Sequence, residues 1–237
     1  GGSTNAALHL PALANEIGIK LLATARIVLL SMFFMISLMF PISIYSAKKK
    51  SGIFDKVTHG FTILGLSSPN YWMGFILLVL FAVIFPIFKV VDYGSFKSLV
   101  LPALSIALPI TASGIRVFRS ELIKAYHSDY VLYARVRGLS EKKISNMVIR
   151  DALPPIVTLL MQSLAFSLAG SAAVEAVFSW PGIGSLLIAA ILGRDLPVIN
   201  ACVLIFGIIV VILNFAADII NMLLNPMTAI SKEGEYD

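Results

Sequence analysis

The chain has 237 residues, of which 58% are hydrophobic and only 13% charged, with a mean hydropathy of +0.92. Soluble domains carry about 25% charged residues, so a soluble globule of this length is excluded, whereas spans of about 20 residues joined by loops fit it. The net charge of +5 does not point to nucleic acid, because the basic residues gather in islands between apolar runs, and the single cysteine, Cys202, excludes a disulfide framework or a cysteine-based metal centre within the chain.

Residues 1–20 lack a basic start followed by an apolar core, so no cleavable signal peptide is expected, and the segment stands apart as an atypical beginning. A first apolar run covers Leu21 to Tyr45, with Arg26 near its outer end as a headgroup anchor. Lys48, Lys49, Lys50 and Lys56 form a first basic island. Runs from Phe61 to Phe88 and from Leu99 to Val117 follow, then a second island dominated by Arg116, Arg119, Lys124, Arg135, Arg137, Lys142, Lys143 and Arg150. The last runs are Leu153 to Phe178 and Val198 to Leu224, before a tail at 229–237.

At 1.5 Å rise per residue each run can cross a hydrocarbon core of about 30 Å. The expectation is an all-α membrane protein with five transmembrane helices in one domain, 21–228, interrupted by a long polar loop at 119–151. Cytoplasmic loops collect Lys and Arg, so both islands and the tail are assigned inside. Pro86 to Ser98 and Ser179 to Pro197 then lie outside, with only Lys89, Lys97 and Arg194 as basic residues. This orientation places the N-terminus outside and implies that a segment ordinarily preceding residue 21 is missing. Prolines 41, 69, 102, 109, 154 and 155 predict kinked, packed helices. The small residues Ala165, Ser167, Ala169, Gly170, Ser171, Ala172 and Ala173 mark either a packing face or a pore-lining face.

The polar loop is too patterned to be slack linker. Tyr126, Tyr130, Tyr133 and Arg137 recur at helical spacing, predicting one face of aromatics with a basic tip. Asp129 can cap the start of this helix, Gly138 can supply a left-handed residue after it, and Ser140 can cap a second helix with Glu141 in its first turn. The reading is helix, glycine corner, helix. Such a unit suits docking into a groove on a cytoplasmic partner, and its basic amphipathic pattern equally suits lying on the membrane interface.

The stretch YARVRGLSEKKISNMVIRDALPP resembles the EAA loop of binding-protein-dependent ABC permeases, whose small residue, glycine and closing Leu-Pro fall here on Ala134, Gly138, and Leu153 with Pro154 or Pro155. GLSSPNYWMGFILLVLFA, VEAVFSWPGIGSLLIAAILGRDLPVIN and ADIINMLLNPM are similar, in order, to segments of the peptide/nickel permease subfamily. The resemblance runs from about Lys20 to Met227. It implies a type I ABC importer permease in the cytoplasmic membrane. Its partners would be a second permease, as a heterodimer, two cytoplasmic ATPases and an extracytoplasmic substrate-binding protein. The implied substrates are di- or oligopeptides, nickel or a metal chelate. By resemblance, coupling to the ATPase falls on Tyr130, Tyr133, Ala134, Arg135, Gly138 and Leu139, and the outer gate or binding-protein contact on Trp180, Pro181 and Gly182. No enzymatic activity, catalytic residue or cofactor is implied, and no phosphate-cradling G-x-x-x-x-G-K-[ST] stretch occurs.

Family members usually begin with a basic cytoplasmic start, a first span and an extracytoplasmic stretch, none of which is recognisable here. Instead GGSTNAALHLPALANEIGI resembles a motif of the dihydroxy-acid dehydratase family, without that family's cluster cysteines or acidic ligands. It is expected to be a fusion or gene-prediction scar with no catalytic role, or an unrelated outer segment. The rival to a working transporter subunit is a truncated, transport-incompetent membrane assembly subunit.

Glu175 is a substrate-path candidate because an intramembrane acid is expensive. For Glu175 and for Asp218, pairing with a partner subunit or snorkelling to the interface stands beside that reading. His9, His59 and His127 share no metal-ligand spacing, so no metal site is expected. Trp72 and Trp180 fall at span boundaries, where aromatic belts place tryptophan. Ser179 to Gly184 is a turn-rich outer segment that either folds back over the bundle or gates the outer mouth.

Overall fold

The computed structural model describes residues 2–49, 52–89 and 95–224. Lys50, residues 90–94 of the expected outer segment and the expected tail at 229–237 lie outside the described residues, as do the side chains of Ala169 and of residues 1–12, His9 among them. Among the described residues the secondary structure is helical and no strand occurs. The elements are α1 (Gly2–Lys48), α2 (Ile53–Ser67), α3 (Asn70–Leu78) continuing into a π-helical turn (Val79–Ile84), α4 (Phe96–Tyr126), α5 (Asp129–Val136), α6 (Glu141–Asp151), α7 (Leu153–Val177), α8 (Ile183–Gly193) and α9 (Leu196–Leu224).

Three helices are long and apolar enough to cross a membrane alone: α1 over Leu13–Lys48, α4, and α9 over Leu196–Leu223. The pair α2 and α3 reaches that length only together, across a bend of 107°, whereas α7 alone runs for 25 residues, bent by 47° from α6. By length and composition the described residues hold three to five candidate crossings, a range that includes the five spans that the hydropathy predicts.

Two boundaries differ from the sequence expectation. Helix α1 is continuous from Gly2, so residues 2–20 join the first span as helix, and Ile17 packs in a cluster with Ile183, Ala190, Val198 and Cys202. Cys202 is a small, fully buried member of this cluster. The second apolar run is not one helix but breaks at Ser68 and Pro69, both extended (φ −104°, ψ 120° and φ −63°, ψ 147°). Proline has no amide hydrogen to continue a helix and disfavours helical geometry in the residue before it. Pro154 and Pro155 instead fall in the first turn of α7, where a missing amide costs nothing.

The chain forms two compact units, and α1, α4, α7 and α9 contribute residues to both. The first comprises residues up to Phe34, Pro69–Ala107 and Leu164–Val210, and its fully covered side chains include Ile27, Ile106, Val174 and Ile183. The second comprises Met35–Ser68, Leu108–Ser163 and residues from Val211 onward, with Met35, Ile115, Phe118, Leu122 and Ile144 at its core. Within it, Phe40 and Phe118 meet edge-on at 4.9 Å. Glycines allow its helices to approach closely: a Cβ at Gly65 would stand 2.5 Å from the Cβ of Ala112, and one at Gly114 would stand 2.5 Å from the Met39 sulfur.

Candidate functional site

The predicted helix–corner–helix lies in the second unit. Helix α5 starts from Ser128 rather than Asp129, with Asp129 as its first residue, where an acid favours the helix dipole. It ends in a Schellman corner: Gly138 takes φ +76°, its amide donates to the Arg135 carbonyl at 2.9 Å, and the Leu139 amide donates to the Ala134 carbonyl at 3.1 Å. Helix α6 then starts from Ser140, with Glu141 in its first turn. The Arg135 guanidinium donates to Glu141 across the corner at 3.1 Å.

The tyrosines do not share one outward face. Tyr126, the last residue of α4, donates its hydroxyl to Ser145 of α6 at 3.1 Å, and Tyr130 donates to Asp151 at 3.2 Å. Partial burial, with the Asp151 carboxylate adding to it, pushes the Tyr130 phenol above the ordinary tyrosine value of 10.0. Two side chains thus fasten α6 back onto α4 and α5. Ala134 is also turned inward: with Val131 it forms the buried face of α5, which contacts α6, whose buried residues are Ile144, Ser145 and Val148. Ala134, one of the residues expected in coupling, is therefore a small residue at the packing of α5 against α6 and not on the exposed face. Exposed instead are Leu132 at 63%, Tyr133 at 69% and Val136 at 79%, with Arg135 and Arg137 beside them. Leu132 and Val136, which the sequence reading passed over, make the outward face of α5 apolar.

Also in the second unit, Arg119 of α4 donates to both carboxylate oxygens of Asp55 on α2, at 2.7 and 2.8 Å, and Ser46 of α1 donates to the same carboxylate at 2.5 Å. The charges are mostly covered, with Asp55 13% and Arg119 24% exposed, so the forked pair works away from bulk water. Three helices of the second unit are joined at one carboxylate. The sequence reading missed it because Asp55 and Arg119 are 64 positions apart.

In the first unit, Glu175 of α7 is fully buried. Its Oε1 accepts from the Thr24 hydroxyl at 2.5 Å and from Ser171 at 3.0 Å, and its Oε2 accepts from the Ser185 amide at 2.7 Å. The carboxyl expected on the substrate path thus has no exposed surface in this structure. The chain leaves α7 through a left-handed Ser179 (φ 50°), whose following amide, that of Trp180, donates to the Glu175 carbonyl at 2.7 Å. Trp180 is buried and donates its indole N–H to the Ala23 carbonyl at 3.2 Å. Gly182 is buried as well, so of the three residues expected at the outer contact only Pro181 is exposed. Among the described residues no three His, Cys, Asp or Glu side chains come together as metal ligands.

Apolar helices long enough to cross a membrane, with a polar helix–corner–helix loop, define a multi-pass membrane protein. Comparison with known proteins makes this specific: residues 39–229 match the family model of the binding-protein-dependent transport system inner membrane component, and the chain belongs to that family. It is 32% identical over 182 residues to a dipeptide transport system permease protein of Lactococcus lactis, covering 76% of this chain and 60% of that one. It is 30% identical over 213 residues to a metal-staphylopine import system permease protein of Staphylococcus aureus, covering 90% and 68%. A nickel import system permease protein of the same species is 35% identical over 187 residues, covering 78% and 56%. The chain thus spans between about half and about two thirds of the length of these relatives.

Proposed function

We propose that the chain is a transmembrane permease subunit of an ABC importer that moves di- or oligopeptides, nickel or a metal chelate across the cytoplasmic membrane. In this reading it pairs with a second permease, receives substrate from an extracytoplasmic binding protein and rests on two cytoplasmic ATPases. The relatives' names span dipeptide, nickel and metal-staphylopine import, which supports the substrate range. The observation that carries the reading is the exposed apolar face of α5. Leu132, Tyr133 and Val136 would be costly to leave in water on an otherwise polar loop, and a contiguous apolar patch of this kind marks an interaction surface. A helix with such a face fits a groove in a partner, and in this reading the ATPase is the partner that imparts motion there.

ATP hydrolysis belongs to those partners, and this chain performs no covalent chemistry. ATPase closure moves α5, the Gly138 corner transmits the movement to α6, and the Tyr126 and Tyr130 bonds carry it to α4 and to the end of α6. Glu175 stands outside the substrate path, and Trp180 and Gly182 act from beneath the outer surface. The test is co-purification of the chain with an ATPase and a second permease, then ATP hydrolysis in liposomes with and without substrate. Substrate-stimulated turnover is the expected result. A complex that forms without turnover would instead make the chain a membrane assembly subunit.

A further inference from the structure

Helix α8 begins without a cap of its own. The first amides of any helix have no partner inside it, and the residue at the cap position here is Gly182, which has no side chain to offer. Two of those amides are answered from other helices of the same unit. The Ile183 amide donates to the Thr24 hydroxyl oxygen of α1 at 2.9 Å, and the Ser185 amide donates to Glu175 Oε2 of α7 at 2.7 Å. Thr24 donates its own proton to Glu175 Oε1, which Ser171 also reaches, so one hydroxyl and one carboxyl form a continuous acceptor surface beneath the helix start. Thr24, Ser171 and Glu175 have no accessible surface, so losing any of these bonds would strand buried polar atoms. The glycines fit the same arrangement. A Cβ at Gly182 would collide with the Glu175 carboxyl and the Thr24 hydroxyl, and one at Gly184 would stand 2.5 Å from the Ala172 Cα.

We propose that Glu175 and Thr24 are positioning residues of the outer gate: together they cap α8 in trans and hold it against α1 and α7. The carboxyl takes the place of the side chain that Gly182 lacks, its Oε2 accepting from the Ser185 amide in the first turn of α8. Because the cap comes from two helices, α8 stays docked only while α1 and α7 keep their present spacing. Separation of the two frees it. That consequence for gating rests on the importer reading above, whereas the capping does not.

Trp180 reports on docking, since it is buried, and its indole and amide bond Ala23 and Glu175. The chain holds two tryptophans, so Trp72→Phe makes Trp180 the sole emitter. In that background, with the full chain in liposomes, acrylamide quenching should rise about twofold or more in Glu175→Leu and in Thr24→Val, in keeping with a lost helix cap. Glu175→Gln keeps an oxygen for the Ser185 amide and should quench much less than the leucine variant. Gly182→Ser should change sign with context. In the native background its side chain collides with the cap and raises quenching, but with Thr24→Ala and Glu175→Ala it restores a local cap and lowers it. Native quenching in Glu175→Leu, or a Gly182→Ser that disrupts both backgrounds alike, would overturn the proposal. So would a Glu175→Gln that docks normally yet loses substrate-stimulated turnover in the assembled complex, because the charge would then act on substrate. Should the unmodified complex show no turnover while the quenching pattern holds, the cap stands and the importer reading alone fails.

Discussion

At Gly138 the backbone is left-handed while an added Cβ would meet no atom within 4 Å, so the position is held by conformation and not by space. Gly138→Val is therefore expected to cost about 1–2 kcal/mol at the corner, and Gly138→Asn less, because asparagine visits this region readily. Thermal unfolding of the purified chain measures the order, and equal costs for the two would refute it. The forked Asp55–Arg119 pair makes a second residue-level case. Arg119→Leu strands a mostly covered carboxylate and should destabilise by about 2–3 kcal/mol, whereas Asp55→Asn with Arg119→Leu should cost less than the arginine change alone. Tyr130 adds a pH dependence. Its phenol titrates higher when folded than when unfolded, so its contribution is full below the unfolded value near 10.0 and fades as pH rises through the folded one. Tyr130→Phe should flatten that alkaline part of the unfolding profile and, because it also deletes the bond to Asp151, lower stability at neutral pH by about 0.5–1 kcal/mol.

Among the elements, those punctuated by local chemistry were legible. Gly138 and Ser140 mark the end of α5 and the start of α6 because caps and left-handed corners are decided within a few residues. The partition of Tyr126, Tyr130 and Tyr133 was not legible, since helical spacing says which side chains share a face but not whether a second helix covers it. The second apolar run misled for a related reason: hydropathy continues across Ser68 and Pro69 while the backbone does not. Helix contacts through glycine are equally silent in sequence until the partner is known. Gly65 faces Ala112, 47 positions along, and Gly65→Ala should cost about 1–3 kcal/mol by overpacking, with Ala112→Gly recovering much of it. Double-mutant cycles on thermal stability settle this, and additivity of the two changes would show that the helices do not meet there.

For the whole molecule, composition and charge asymmetry were sufficient to read a membrane bundle, because apolar spans and basic islands are summed over many residues and tolerate local error. The buried polar groups were readable only as costs. Glu175 stands out in the sequence as an expensive acid, yet its partners Thr24 and Ser185 lie 151 and 10 positions away and look like ordinary small polar residues. The outward face of α5 lies between these extremes, since Leu132 and Val136 are visible in sequence but gain meaning only once Val131 and Ala134 prove to be the covered side. If that face seats the ATPase, its energy should concentrate in Tyr133 and the two aliphatics, as interface energy does in a few apolar anchors. Tyr133→Ser combined with Leu132→Ser is then expected to weaken ATPase co-purification by about tenfold or more, while leaving the Tyr126–Ser145 and Tyr130–Asp151 bonds, and hence the unfolding temperature, nearly unchanged. Arg137→Ser, at the edge of the same face, should act mainly through salt-sensitive association and cost less than about 1 kcal/mol. Undiminished co-purification of the Leu132 and Tyr133 double variant would move the loop from the ATPase to the membrane interface, where an apolar and basic helix face also finds a home.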